Sequence, residues 1–195
     1  MPRISTAAIA ATFAAMTVTA PAVSAAPGVS AQAGDHVPRI SAGTFGAYSE
    51  DAVAVTYDTD QVPAGAKARV VSTPIPGGHT SVIMALRGLQ PNSSYGAHVH
   101  TRPCGPTGSD AGPHFQQVEA PEGVSGDPDY ANPDNEVWLD FRTDSDGEAV
   151  SAAFGDWQLR EREANSIVIH ENLTKTAPGV AGEAGPRLAC INVRF

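Results

Sequence analysis

Short apolar runs that alternate with polar residues and end at turn sequences fill most of the chain after residue 50. In one of them Val82, Met84 and Leu86 fall on the same face, as the two-residue period of a strand requires. The predicted strands are 52–57, 66–73, 80–86, 95–101, 136–143, 148–154, 166–170 and 187–194. Eight short strands separated by polar turns predict an all-β fold, an antiparallel sandwich or barrel.

A long segment without clear periodicity, 102–135, separates the fourth and fifth predicted strands. It is rich in glycine, proline and aspartate. A loop of this length is unusual inside a compact domain and is often functional. We therefore expect residues of a functional site within or beside it.

The first 25 residues have the pattern of an export signal. Arg3 is the only charged residue before Asp35, and residues 7–20 are apolar or small. Small residues at 23–25 offer a cleavage site. The alternative is a helical N-terminus, which Pro21 and the lack of an amphipathic stripe disfavour.

Three regions follow from this pattern: a signal peptide at 1–25, a flexible leader at 26–49 and a folded domain at 50–195. An extra edge strand within 26–49 is the alternative to a flexible leader. The signal predicts a secreted protein, periplasmic or extracellular. Cys104 and Cys190 are the only cysteines, and in an exported protein a disulfide between them is favoured over two free buried thiols.

Composition excludes several classes of partner. The 195 residues carry 12 Lys and Arg against 21 Asp and Glu, a net charge of -9. Such an acidic chain lacks the net positive charge that binds phosphate backbones, so no nucleic-acid partner is expected. Outside the N-terminal segment no apolar run reaches the roughly 20 residues of a membrane span. Whether the protein is a monomer or a homodimer is left open.

Four of the six histidines occur where chemistry is plausible. His98 and His100 share one face at the end of a predicted strand, His114 lies in the long loop, and His170 ends another strand. Four imidazoles suit a borderline metal, and nitrogen sites of this kind are typical of Cu(II). The pair His98 and His100 alone is as readily structural as functional, and His114 or His170 alone is more often structural. We interpret His36 and His79 as surface residues.

Five segments in order resemble the copper/zinc superoxide dismutase family. They are Gly96-Ala97-His98-Val99-His100, Cys104, Ala111-Gly112-Pro113-His114-Phe115, Val168-Ile169-His170-Glu171 and Gly185-Pro186-Arg187-Leu188-Ala189-Cys190. The similarity covers about residues 50–195. It implies an eight-stranded antiparallel Greek-key β-barrel with long active-site loops, and a secreted enzyme that converts superoxide to oxygen and hydrogen peroxide.

The resemblance also implies roles for individual residues. His98, His100, His114 and His170 would bind copper, and Cys104 and Cys190 would form the family's disulfide. Arg187 would lie beside the open face of the copper and attract the superoxide anion. Arg187 and His114 are therefore the expected catalytic residues.

The zinc site of the family is not matched. No histidine occurs between His114 and His170, so two of the family's zinc ligands are missing, and we expect zinc to be absent. Four carboxylates in the region are interpreted as solvated loop residues and not as substitute ligands: Asp127, Asp129, Asp134 and Glu136.

Two other functions remain open from the sequence. The same four histidines could serve a non-catalytic copper-binding protein of the cell envelope, used for storage or delivery. A structural β-sandwich that lost its metal would bind no stoichiometric copper. A copper-only dismutase is the hypothesis that the motifs favour.

Overall fold

The computed structural model describes residues 36–159 and 164–195 of the chain. Their strands are β1 (Arg39–Thr44), β2 (Ala54–Thr56), β3 (Lys67–Ile75), β4 (His79–Arg87), β5 (Ser94–His100), β6 (Phe141–Arg142), β7 (Ala149–Gly155), β8 (Ser166–His170) and β9 (Arg187–Asn192). A single turn of 3-10 helix, Gly108–Ala111, lies between β5 and β6. The all-β class predicted from the sequence is confirmed.

The strands form two antiparallel sheets that pack on each other. One has the order β1-β3-β4-β7 and the other the order β2-β9-β8-β5-β6. Their inner faces bury a core of aliphatic and aromatic side chains that includes Val70, Met84, Leu86, Tyr95 and Ile167. Alternation along each strand places these residues inward because successive side chains of a strand point to opposite faces.

The leader predicted at 26–49 needs a correction. Its residues Arg39–Thr44 form strand β1, which pairs with β3 from Arg39 opposite Ser72 to Thr44 opposite Lys67. The edge-strand alternative therefore holds for this segment, and the pairing brings the number of strands within residues 36–159 and 164–195 to nine. Ser41 is buried on β1 while its neighbours are exposed, so only one inward side chain marked the strand in the sequence.

The segment predicted as a strand at 136–143 is mostly irregular. Only Phe141–Arg142 forms a strand, β6, and Trp138 makes an isolated bridge with His98. The predicted alternation is nevertheless present, since Val137, Leu139 and Phe141 are buried. The opposite face of the segment is turned toward β5, where the histidines lie.

A disulfide joins Cys104 to Cys190. It ties the loop after β5 to the middle of β9, and the amide of Cys104 donates a second link to Asn192 Oδ1 at 2.8 Å. The pairing expected from the sequence is the one present.

The predicted signal peptide and residues 26–35 of the predicted leader lie outside the described residues. Among those that the structure does describe, no helix has the length and apolar character needed to cross a membrane.

Candidate metal centre

Three of the four predicted histidines are placed by neighbouring strands of one sheet. His98 and His100 lie on β5, which pairs with β8 so that Gly96 is opposite His170. The register of β8 with β9 shifts between Ile169 and His170, which puts Arg187 opposite His170. A bulge of this kind redirects a side chain.

The fourth histidine comes from the loop after β5. His114 is held against the end of that strand by the two hydrogen bonds of its bridge to His100: the amide of Phe115 donates to the carbonyl of Val99 at 2.8 Å, and the amide of Thr101 donates to that of Pro113 at 3.1 Å. The two main-chain links place a loop side chain with nearly the precision of a strand residue.

The four imidazoles converge on one point. One nitrogen from each of His98, His100, His114 and His170 lies within 4.8 Å of the other three. The ring centroids of His98 and His114 are 4.1 Å apart, and those of His100 and His170 are 5.7 Å apart. Three of the rings are buried and His114 is partly exposed, so the cluster is open on the side of His114.

Hydrogen bonds to the outer nitrogen of each ring set its tautomer. Nδ1 of His100 donates to the carbonyl of Gly112 at 2.9 Å, and Nδ1 of His170 donates to that of Gly185 at 3.2 Å. A carbonyl can only accept, so the proton is on Nδ1 and the lone pair on Nε2. In both rings Nε2 is buried without a hydrogen-bond partner.

The ring of His98 is oriented by two successive hydrogen bonds, and its bonded nitrogen is Nε2 where the other rings use Nδ1. Its Nε2 is 2.7 Å from Thr174 Oγ1, and the same hydroxyl donates to Asp140 Oδ1 at 2.6 Å. Because the carboxylate only accepts, the hydroxyl oxygen accepts from His98, and the lone pair is left on Nδ1. That atom is the third buried ring nitrogen without a partner.

The carboxylate of Glu136 holds His114. His114 Nδ1 donates to Glu136 Oε2 at 2.8 Å, and Trp138 Nε1 donates to the same oxygen at 2.7 Å. Gln116 Nε2 donates to the other oxygen at 2.8 Å. Glu136 is only 3% exposed, so its interpretation as a solvated loop carboxylate was wrong. The bridge between Gln116 and Glu136 brings it under the histidine cluster.

Asp127, Asp129 and Asp134 are different from Glu136. Asp129 and Asp134 are exposed, Asp127 is partly exposed, and the Asp127 carboxylate caps the turn at the amide of Asp129. They do not contact the histidines. His36 is also exposed, and His79 is a half-exposed residue paired with Asp156, so both lie outside the cluster as predicted.

Asp140 and Thr174 also escaped the sequence analysis. Glu136, Trp138 and Asp140 alternate along one segment, and this period was a usable sign that all three share a face toward β5. Thr174 lies in the loop between β8 and β9, where no pattern marks it.

Burial lowers the pKa values of three histidines in the cluster. Desolvation, followed by the mutual repulsion of the rings and of Arg187, lowers the pKa of His98 well below its usual value. Desolvation and the charges of His114 and Arg187 do the same to the pKa of His100. The pKa of His170 falls to about 4, chiefly through desolvation. These three rings are therefore neutral near pH 7, the form that binds metals.

Arg187 is held close to the cluster by the loop after β5, which the disulfide fixes to β9. It lies opposite His170, and its Nη1 donates to the carbonyl of Gly108 at 2.8 Å. A methyl group on Gly108 would come within 2.7 Å of Arg187 Cβ, so only glycine permits this approach. Partial burial lowers the pKa of Arg187, but the guanidinium remains charged at neutral pH.

A cavity of about 970 Å³ opens beside His114. The loop after β5 and the loop between β8 and β9 form its two sides, with Gln116, Glu136 and Gly182 in its lining. Lys175 also lines it but pairs with Glu183 at 3.0 Å. Small solutes can reach the cluster from this side.

The metal-free protein is expected to lose stability as the pH falls below about 6.5. Each histidine with a lowered pKa takes up a proton near pH 6.5 in the unfolded state but stays neutral in the folded state. The folded-state pKa of His170 is about 4. The unfolded state then binds more protons, which costs the fold on the order of 2 kcal/mol per such histidine at pH 5. Urea unfolding at pH 7 and pH 5 measures the effect; equal stability at both would contradict it.

Comparison with protein families gives one extended match. The model of the family described as "Copper/zinc superoxide dismutase (SODC)" matches residues 65–193, about two thirds of the chain. A search of curated protein sequences finds no match.

Solved structures share the fold at low sequence identity. A Cu/Zn superoxide dismutase from Brucella abortus is 18% identical with a TM-score of 0.54, covering 80% of this chain and 99% of its own. A SOD-like protein from Bacillus subtilis is 15% identical with a TM-score of 0.52, covering 73% and 98%. Similarity at this level supports the fold, while the family follows from the extent of the family-model match. The chain belongs to the copper/zinc superoxide dismutase family.

Proposed function

We propose that the protein is a secreted, copper-dependent superoxide dismutase. The observation that carries the proposal is the set of lone pairs directed into one point, three of them on buried ring nitrogens without any partner. A buried polar atom without a partner is costly unless it has a ligand. Four imidazoles are a donor set that suits copper.

Each histidine would bind the copper ion through one ring nitrogen and be oriented by a hydrogen bond at the other. His98 would bind through Nδ1, and His100, His114 and His170 through Nε2, since hydrogen bonds occupy the other nitrogens. Copper would supply the one-electron chemistry that turns one superoxide into oxygen and another, with two protons, into hydrogen peroxide. The outer hydrogen bonds orient the rings before the metal arrives.

Arg187 is the proposed anchor for the anion. The net charge of -9 repels an anionic substrate, and Lys175 is compensated by Glu183. A guanidinium opposite His170 offers a fixed positive charge and hydrogen-bond donors at the cluster. Its second role is orientation, because the hydrogen bond to Gly108 prevents the side chain from turning away.

A single-ion site is the second part of the proposal. His114 Nδ1 would have to lose its proton to bind zinc, but that proton is shared with a buried carboxylate. No histidine follows until His170, so zinc would find few ligands beside Glu136. His114 then acts as a plain copper ligand at the solvent-accessible side of the cluster.

Export is supported by two features. The first 25 residues have the pattern of a signal peptide. The disulfide between Cys104 and Cys190 is of the kind that persists in oxidising compartments. A periplasmic or extracellular location is therefore part of the proposal.

Replacing Arg187 with alanine is expected to lower kcat/KM for superoxide about 10- to 100-fold. A hydrogen bond to a charged partner contributes about 1.5–3 kcal/mol, and each 1.4 kcal/mol is tenfold in rate. Copper content should stay at the wild-type value, because Arg187 is not a ligand. Arg187→Lys keeps the charge and should retain part of the activity.

The same assay separates dismutase from copper storage. If copper-loaded wild type is no faster than free copper, or if Arg187→Ala equals wild type, the enzyme hypothesis fails. A copper-binding protein of the cell envelope would then explain the cluster.

Replacing Glu136 with glutamine is expected to weaken copper binding about 10- to 100-fold, the usual effect of removing a partner of a ligating histidine. The neutral amide loses the charge-assisted hydrogen bond to His114 Nδ1. Competition with a copper chelator measures the affinity. Glu122→Gln, at an exposed position of the same loop, is the control, and an equal affinity in both variants would refute the role of Glu136.

A further inference from the structure

The indole of Trp138 lies against the histidine cluster and shares a carboxylate oxygen with it. The ring centroids of Trp138 and His98 are 5.9 Å apart, and the two rings are tilted by 58°. Trp138 Nε1 donates to Glu136 Oε2 at 2.7 Å, and the same oxygen accepts from His114 Nδ1 at 2.8 Å. Trp138 is therefore linked to one proposed copper ligand through its ring and to a second through a single carboxylate oxygen.

The position of Trp138 differs from that of a core tryptophan. Its neighbours Val137 and Leu139 are buried in the core, whereas Trp138 is partly exposed. Its antiparallel bridge with His98 places it on the other face of the segment, which is turned to the histidines. One part of the indole thus contacts a buried histidine while another part is accessible from solvent.

The surroundings of Trp138 favour a positive charge on its ring. The carboxylate of Glu136 is 3% exposed and accepts hydrogen bonds from His114, Gln116 and Trp138. None of the arginines and lysines in the described part of the chain pairs with it. A nearby negative charge stabilises a cation, most strongly where water is excluded. Because an indole that loses one electron becomes a cation, Glu136 makes Trp138 easier to oxidise.

Within residues 36–159 and 164–195 the other oxidisable side chains are less suited to this role. Trp157 packs on Phe115, and its Nε1 donates to the carbonyl of Asp134, a neutral partner. Met84 is fully buried in the core, and the two cysteines are joined to each other. The rings in contact with the histidines of the cluster are the other histidines and Trp138.

We propose that Trp138 supplies the second electron when hydrogen peroxide, the product of the proposed reaction, reacts with the reduced copper centre. The inference rests on the copper binding of the proposed function. Hydrogen peroxide needs two electrons and two protons to become two molecules of water. Copper(I) gives one electron and becomes copper(II). Trp138 gives the other and becomes an indole cation radical, and the solvent supplies both protons.

Glu136 and the exposed part of the ring determine what happens next. The Nε1 proton stays in the hydrogen bond to Glu136, whose charge stabilises the cation radical. A small reductant of the phenol class can reach the exposed part of Trp138 from solvent. It returns one electron to the ring and releases its own proton to water. The oxidising equivalent then leaves the protein, and the ligating histidines are spared oxidation.

Peroxide treatment of the copper(I) protein tests the inference. The copper-loaded chain is reduced under nitrogen, freed of reductant, and mixed with hydrogen peroxide and a nitroso spin trap that bonds to carbon-centred radicals. Tandem mass spectrometry locates the trap, and copper is measured before and after. Wild type should carry the trap on Trp138 and keep most of its copper. Trp138→Phe should show oxidised histidines and lose most of its copper, while Trp157→Phe, at the other tryptophan of the chain, should match wild type.

Trp138→Tyr separates electron donation from packing. Phenylalanine and tyrosine place a similar ring against His98, but tyrosine is far more readily oxidised by one electron. Trp138→Tyr should therefore keep the copper that Trp138→Phe loses. A copper-loaded wild type in which the trap never appears on Trp138, or equal final copper contents in wild type and Trp138→Phe, overturns the inference and leaves the dismutase proposal standing. A chain that takes up no copper overturns both.

Discussion

His100→Ala is expected to lose stoichiometric copper together with dismutase activity. His100 is fully buried, and its free Nε2 is one of the three orphaned nitrogens. Removing it leaves three imidazoles and a void at the back of the site, so both the geometry and the donor number of a four-nitrogen copper site are lost. Metal analysis after dialysis against a weak chelator should fall from one copper per chain to well under one.

His36→Ala is the matched control for this experiment. His36 is exposed and outside the cluster, so its variant should keep one copper and full activity. Urea unfolding of both metal-free variants shows whether they are folded. Should His100→Ala retain one tightly held copper, the ion is bound elsewhere and the four-histidine site is wrong.

Loss of the disulfide is expected to have the largest effect on stability. The bond between Cys104 and Cys190 spans 86 positions of the chain. In the chain-entropy model, closing a loop of that length stabilises the folded state by about 4–5 kcal/mol. Cys104→Ser combined with Cys190→Ser should lower the free energy of unfolding by this amount in a urea titration.

Loss of the disulfide should also affect how firmly Arg187 is held at the metal centre. It fixes the loop that carries Gly108, whose carbonyl accepts from Arg187. Wild type unfolded in the presence of a reductant should approach the midpoint of the double variant. An unchanged midpoint in the double variant would mean that the Cys104 amide and Asn192 alone hold the loop.

Local periodicity was sufficient to predict most of the fold. Strands such as β4, with Val82, Met84 and Leu86 inward, repeat every two residues and bury that face. β1 was missed because only Ser41 faces inward with burial, and its pairing with β3 is a tertiary contact that no local pattern encodes. The segment 136–143 runs antiparallel beside β5 and kept its alternation, but its hydrogen bonds to β5 are interrupted, so only Phe141–Arg142 forms a regular strand.

The metal cluster was easier to predict than its surroundings. His98 and His100 are neighbours on one strand, and the other two histidines stand in recognisable motifs. Glu136 and Thr174 act through contacts between segments that are far apart in sequence. A carboxylate in a polar loop looks solvated until the fold shows what covers it, and a threonine carries no signature at all.

Electron paramagnetic resonance of the protein titrated with Cu(II) tests the central claim most directly. The account predicts one spectral species that saturates at one copper per chain, with coupling to four nitrogens, and that changes in His98→Ala, His100→Ala, His114→Ala and His170→Ala. A spectrum with oxygen donors in place of these nitrogens, or one that survives any of the four substitutions unchanged, would contradict it.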